Sequence, residues 1–130
     1  MKIIEGGVTA AKGFLAASTA AEIKYKGRND MAMIVSQVPA VSAGTFTSNV
    51  VKAAPVQWDR KVVEGETCAQ AIVINSGIAN ACTGAEGMEY CRKTAEKVEE
   101  LLHIPKGQVL VASTGVIGMQ LPMERLSRGL

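Results

Sequence analysis

The hydrophobic pattern changes period along the chain, and the clearest change begins at Thr83. After Thr83-Gly84-Ala85-Glu86, the residues Met88, Cys91, Ala95, Val98 and Leu102 recur at spacings of three and four, which places them on one face of a helix. Thr83 and Glu86 have the spacing of a capping box, in which Thr83 accepts from the first-turn amides and Glu86 reaches back. Glu89 and Lys93 lie four apart on the polar side, and Pro105 marks the stop. The flanking segments have no such period. Residues 71–75 and 108–113 are compact apolar runs that read as buried strands. Strand, capped helix and strand predict a βαβ-like unit and an α/β or α+β chain. If the two strands run parallel, their polar tips, at 75–83 and 113–115, emerge on one edge of the sheet, where clefts form.

The N-terminal half is less regular. Gly6-Gly7 and Ala11-Lys12-Gly13 predict a turned backbone over residues 1–13. Residues 14–23 fit two periods: the alanines favour helix, while Phe14, Ala16, Ser18 and Ala20 alternate as in a strand. The turn signal Lys26-Gly27-Arg28-Asn29-Asp30, followed by a short apolar run at 31–35, favours an antiparallel pair joined at Gly27. Pro39 and Pro55 fence a segment expected to hold one strand, around Thr45 and Phe46. Residues 58–64 read as a short helix closing at Gly65, and Pro122 opens another helix. No repeat or linker interrupts the chain, so residues 1–130 read as one unit without an internal boundary.

Composition narrows the functional classes. Of 130 residues, 48% are hydrophobic and 20% charged, enough for a buried core. Only 4% are aromatic, so Ala, Val, Ile, Leu and Met must fill that core, which suits closely packed layers. A net charge of +2, with basic residues interspersed among acidic ones, argues against a nucleic-acid partner. No apolar run reaches membrane-span length, and the N-terminus lacks the apolar core of a signal peptide. A cytoplasmic protein is expected, or an organellar one after loss of a targeting segment. Three cysteines without Cys-x-x-Cys spacing and the single His103 predict reduced, structural thiols and no metal site.

Two stretches carry candidate chemistry. The first is 109–118, where an apolar run meets Ser113-Thr114-Gly115. A threonine hydroxyl and an unobstructed glycine N–H, both about 3 Å from one point, stabilise a tetrahedral oxyanion, each by about 3 kcal/mol. The plainer alternative, a strand end with a capping hydroxyl, is favoured by pattern alone. The second is 75–84, where Asn75, Ser76, Gly77 and Asn80 precede Cys82-Thr83-Gly84. This polar loop lines a site or shapes the turn into the helix, and pattern alone again favours structure. Cys82 has no general base beside it, because His103 falls near the far end of the helix. Phosphate-loop, dinucleotide and nucleophile-elbow motifs are absent. The chain thus offers donors for an acyl intermediate without an activated nucleophile.

Several separated motifs then become recognisable together. They are Gly7-Val8-Thr9-Ala10-Ala11-Lys12-Gly13-Phe14, Val38-Pro39-Ala40, Phe46-Thr47-Ser48-Asn49, Lys52-Ala53-Ala54-Pro55, the run from Asn75 to Gly84, and Ala112-Ser113-Thr114-Gly115-Val116-Ile117-Gly118. In this order, across essentially the whole chain, they resemble the N-terminal part of glutamate N-acetyltransferase, also called ornithine acetyltransferase, of arginine biosynthesis. The resemblance implies a longer precursor that cuts itself before a threonine and a layered sandwich of sheets and helices like that of N-terminal-nucleophile hydrolases. It implies that the new N-terminal threonine of the β chain takes the acetyl group of N-acetylornithine and passes it to glutamate. Thr114 and Gly115 match the family's oxyanion pair. The implied partner is that β chain, in a heterotetramer of two α and two β chains. No cofactor is implied, although some members also use acetyl-CoA as a substrate. Ala11 stands where the family usually has Pro, and Ile78 where it has Asn. The second change puts a direct substrate role at that position in doubt. By the same resemblance, Leu130 precedes the cleavage point, and an apolar surface should be exposed where the rest of the enzyme packs.

Two other readings fit the residues. One is a self-processing amidohydrolase or aminopeptidase that releases the acyl group to water. The other is a non-catalytic assembly fragment in which the polar loops are only turns.

Overall fold

The computed structural model describes residues 3–65 and 68–130. Strands β1 (Phe14–Thr19) and β2 (Met31–Ala40) precede helix α1 (Ala54–Glu64), strand β3 (Ala69–Ile78) and helix α2 (Gly84–Leu102). Strand β4 (Val109–Val116) and helix α3 (Met123–Gly129) complete the chain. The four strands form one mixed sheet in the order β1-β2-β3-β4, with β3 and β4 parallel and the other pairs antiparallel. The expected α/β architecture, the β1–β2 pair and the βαβ unit are therefore present. The irregular stretch at the start carries a single 3-10 turn, Val8–Ala10; its first two residues lie outside the described ones.

Alternation decides the β1–β2 pair, because a helix over 14–23 would leave β2 paired with β3 alone, with its other edge bare. The connection is organised by Asp30, which is 5% exposed. Its carboxylate accepts the backbone N–H of Ala21 at 2.7 Å and of Ile23 at 2.6 Å, satisfying donors that no strand reaches. The carbonyl of Asp30 in turn accepts the N–H of Ser76 at 2.8 Å, tying the turn to the far end of β3.

Helices α1 and α2 pack on one face of the sheet. There Val73 and Val109 meet Ala95 and Val98 of α2. Val73, Val98 and Val109 are essentially fully buried, each contributing about 1.5–3 kcal/mol by leaving water. The other face carries Ile34, Ile72, Ile74 and Leu110, partly exposed and outside both core clusters. Val38, Val41, Val50, Val51 and Ile117 are also exposed, so apolar surface stands open.

Several expectations need correction. No strand forms at Thr45 and Phe46. That stretch has no partner strand, and β2 instead continues through Pro39 to Ala40. Pro39 is tolerated because the β2–β3 register jumps between Val35 and Ala40, so no ladder bond is lost there. Helix α1 starts at Ala54 rather than at Trp58, since Pro55 occupies its first turn, where the missing N–H costs nothing. The capping box also fails. Thr83 is the N-cap but makes no capping bond, and its backbone (φ −107°, ψ 5°) is not the extended form a cap requires. Its hydroxyl donates instead to Asn80 Oδ1 at 2.6 Å, while Glu86 accepts from Tyr90.

Candidate functional site

Both parallel strands run further than their apolar cores suggest. The register continues through Asn75↔Ser113, Ser76↔Thr114, Gly77↔Gly115 and Ile78↔Val116. The two stretches singled out in the sequence thus lie side by side at the carboxyl ends of neighbouring strands. Residues 75–78 belong to β3 and not to a loop. Gly77 adopts φ +105°, which breaks the pleat. Before it, Ala71, Val73 and Asn75 alternate inward; after it, the next inward residue is Ile78, at 4% exposure in the main core. Ile78 is therefore a packing residue, and its lack of a polar side chain has a structural reading.

The two asparagines are occupied internally. Asn75 is 2% exposed; its Nδ2 donates to the Ile78 carbonyl at 3.0 Å and its Oδ1 accepts from Ser113 Oγ at 2.6 Å. Asn80, equally buried, donates to the Gly87 carbonyl at 2.7 Å and accepts from Thr83. Gly87 has no room for a side chain: a Cβ would sit 2.1 Å from Thr83 Oγ1 and 2.6 Å from Asn80 Oδ1. These buried polar groups hold the turn from β3 into α2. Ser76 is only partly buried and stands beside Thr114 on the uncovered face of the sheet.

Thr114 and Gly115 are exposed, and the Thr114 hydroxyl has no partner among the described residues. The direction of the Gly115 N–H follows from the ladder. In a parallel pair, alternate residues of an edge strand turn their backbone groups away from the neighbour. The bonds from Ala71 N to Gln108 O, at 3.2 Å, and from Ala79 N to Val116 O, at 2.9 Å, assign the even-numbered residues of β4 to β3. The odd-numbered residues face the free edge. Two of them are taken up by α1: Trp58 Nε1 donates to Val109 O, and Val111 N donates to Asp59 Oδ1, both at 2.9 Å. By the same alternation the Gly115 N–H points out of the edge, beyond the reach of α1. An exposed hydroxyl and an outward N–H on consecutive residues can converge on one anionic oxygen.

Titratable groups surround this edge without entering it. Burial pushes the Asp59 carboxyl up to about 6, opposed by the hydrogen bond from Val111. Burial and then the Asp59 charge push the Cys91 thiol up to about 12, and the bond from Asn80 acts the other way. Cys91 is fully buried and so a poor nucleophile at neutral pH. Cys82 is exposed, but His103 caps the opposite end of α2, about 28 Å of helix away. Among the described residues no three of His, Cys, Asp and Glu gather where they could hold a metal ion. The contributions of Ser113 and of the Trp58-Asp59 hook were not apparent in the sequence. Their partners lie 38, 51 and 52 residues away, and no local pattern reports them.

Residues 15–130 match the sequence profile of the ArgJ family. The chain is 52% identical over 124 residues to the arginine biosynthesis bifunctional protein ArgJ of Streptomyces avermitilis, covering 95% of this chain and 32% of that protein. Against the protein of the same name from Thermotoga neapolitana the identity is 50% over 120 residues, 92% of this chain and 30% of that one. The chain thus spans about a third of the length of these curated relatives. The crystal structure of arginine biosynthesis bifunctional protein ArgJ from Bacillus halodurans superposes with a TM-score of 0.90 at 44% identity, covering 95% of this chain and 64% of that one. Ornithine acetyltransferase from Mycobacterium tuberculosis, solved in complex with ornithine, gives 0.89 at 44% identity, covering 95% and 66%.

Proposed function

The chain belongs to the ArgJ family, and from that premise we propose that it is the N-terminal portion of the α chain of an ornithine acetyltransferase and supplies the oxyanion donors of its acetyl site. The reaction moves the acetyl group of N-acetylornithine to glutamate. The observation that carries the reading is the pair of exposed donors, Thr114 hydroxyl and Gly115 N–H, at the carboxyl end of β4, the sheet-edge strand beside parallel β3. Supporting it are the resemblance to ornithine acetyltransferases and the partial coverage of the longer relatives.

In this reading the attacking group is the N-terminal threonine of a β chain cut from the same precursor. Its hydroxyl oxygen bonds to the acetyl carbon while its own α-amine takes the hydroxyl proton. The carbonyl oxygen becomes an oxyanion, held by Thr114 and Gly115. The C–N bond then breaks, the proton passes to the departing amine, and ornithine leaves. The glutamate amine attacks the resulting ester, the threonine hydroxyl is re-formed, and N-acetylglutamate is released. In a variant of the cycle the acetyl group comes from acetyl-CoA. The half-exposed apolar face of the sheet, with Ile34, Ile72 and Leu110, suits a second layer contributed by the rest of the protein. A heterotetramer of two α and two β chains, working in the cytoplasm, completes the proposal.

Thr114→Val in the full-length protein tests the reading. Turnover should fall about 100-fold with the fold intact, because one donor to the oxyanion is lost. Unchanged turnover removes Thr114 from the mechanism. Release of acetate to water in place of transfer to glutamate would favour a hydrolase.

A further inference from the structure

The Gly115 N–H is useful only if its direction is fixed, and glycine by itself does not fix it. Gly115 sits at φ +131° in an edge strand, past the last anchor from α1 at Val111. What holds it comes from β3 and the residue that follows it. On one side the Ala79 N–H grips the Val116 carbonyl at 2.9 Å. On the other, Ser113 Oγ donates to Asn75 Oδ1 at 2.6 Å, while Asn75 Nδ2 holds the Ile78 carbonyl at 3.0 Å. One buried amide therefore spans both strands and brackets Gly77 and Gly115 between fixed points. Asn75 has almost no contact with solvent, so it acts on this edge from beneath.

We infer that Asn75 and Ser113 form a positioning clamp that aims the Gly115 N–H at the reacting oxygen; this rests on the oxyanion reading above. Hydrogen-bond donors to an oxyanion work over a few tenths of an ångström, so a strand end free to rotate loses transition-state stabilisation while substrate binding is unaffected. The clamp is accordingly a matter of kcat and not of KM.

Asn75→Ala is the direct variant, but so buried a position risks misfolding. Ser113→Ala in the full-length protein removes only a hydroxyl, and Ser113→Thr restores it. We expect Ser113→Ala to lower kcat about tenfold, with KM for the acetyl donor within about twofold. Ser113→Thr should recover to within about threefold of the parent. Wild-type kcat in Ser113→Ala overturns the clamp. So does a joint change of kcat, KM and melting temperature that threonine fails to rescue, since that marks a role in stability alone. Thr114→Val measured alongside separates the two ideas. If it is impaired while Ser113→Ala is not, only the clamp fails. If Thr114→Val keeps full turnover, the oxyanion reading fails and the clamp falls with it.

Discussion

Gly115 directs the space its side chain would fill at the backbone of Gly77 on the neighbouring strand: a Cβ there would lie 2.3 Å from the Gly77 carbonyl carbon and 2.4 Å from its oxygen. Both glycines have positive φ, +131° and +105°, so the two strands distort together in matched register. Backbone atoms cannot retreat as a flexible side chain can. Gly115→Ala should therefore separate the strand ends and destabilise the protein by about 2–4 kcal/mol. Thermal melting of the full-length variant checks this, and a melting temperature equal to that of the parent would contradict the close approach.

Asp30 makes a second prediction, from a residue with no catalytic part. Its two carboxylate oxygens accept the buried N–H groups of Ala21 and Ile23. An amide has only one acceptor oxygen, so Asp30→Asn turns its NH2 toward one of those donors. The expected cost is about 2–3 kcal/mol. Asn29→Ala next door removes only an exposed bond to Ser18 and should shift stability by no more than about 0.5 kcal/mol. Equal melting temperatures for the two variants would show that Asp30 does not organise the turn.

The helix face of α2, the antiparallel pair and the parallel tips were legible because periodicity and turn chemistry act locally. Cys91, Ala95 and Val98 are fully buried, as the spacing requires. What the pattern missed depends on distant partners. Thr83 and Glu86 have capping-box spacing, yet Asn80 competes for the threonine hydroxyl, and only the packing of Gly87 reveals that. The strand expected at Thr45 and Phe46 had suitable residues and no neighbour to pair with. At the candidate site, Thr114 and Gly115 were visible as residue types. The direction of the Gly115 N–H needs the ladder, whose parity no sequence motif encodes.

Cys91 should be chemically silent in the folded protein. Burial and the neighbouring Asp59 charge raise its thiol to about 12, so almost no thiolate exists at pH 8. Iodoacetamide at that pH should leave Cys91 unmodified over a period that fully labels it in denaturant, as read by peptide mass spectrometry. Labelling of Cys91 at comparable rates in both states would refute its burial against Asn80.

Asp59 couples the edge of β4 to pH. Its carboxyl titrates at about 6 in the folded chain, against an ordinary value of 3.8, mainly because burial disfavours the charge. Between those values the folded state holds more protons than the unfolded one. The contribution of Asp59 to stability is therefore greatest below about pH 4, declines as pH rises through 6, and is flat above. Asp59→Asn keeps an oxygen to accept the Val111 N–H and removes the charge. That variant should melt higher than the parent at pH 7.5, and the advantage should narrow as the pH is lowered from 6 toward 4. The same substitution removes the carboxylate that raises the Cys91 thiol, so Cys91 should titrate lower in it. Parallel melting curves for parent and variant from pH 4.5 to 7.5 would mean that burial does not raise the Asp59 carboxyl, its charge being offset by hydration or by the bond from Val111.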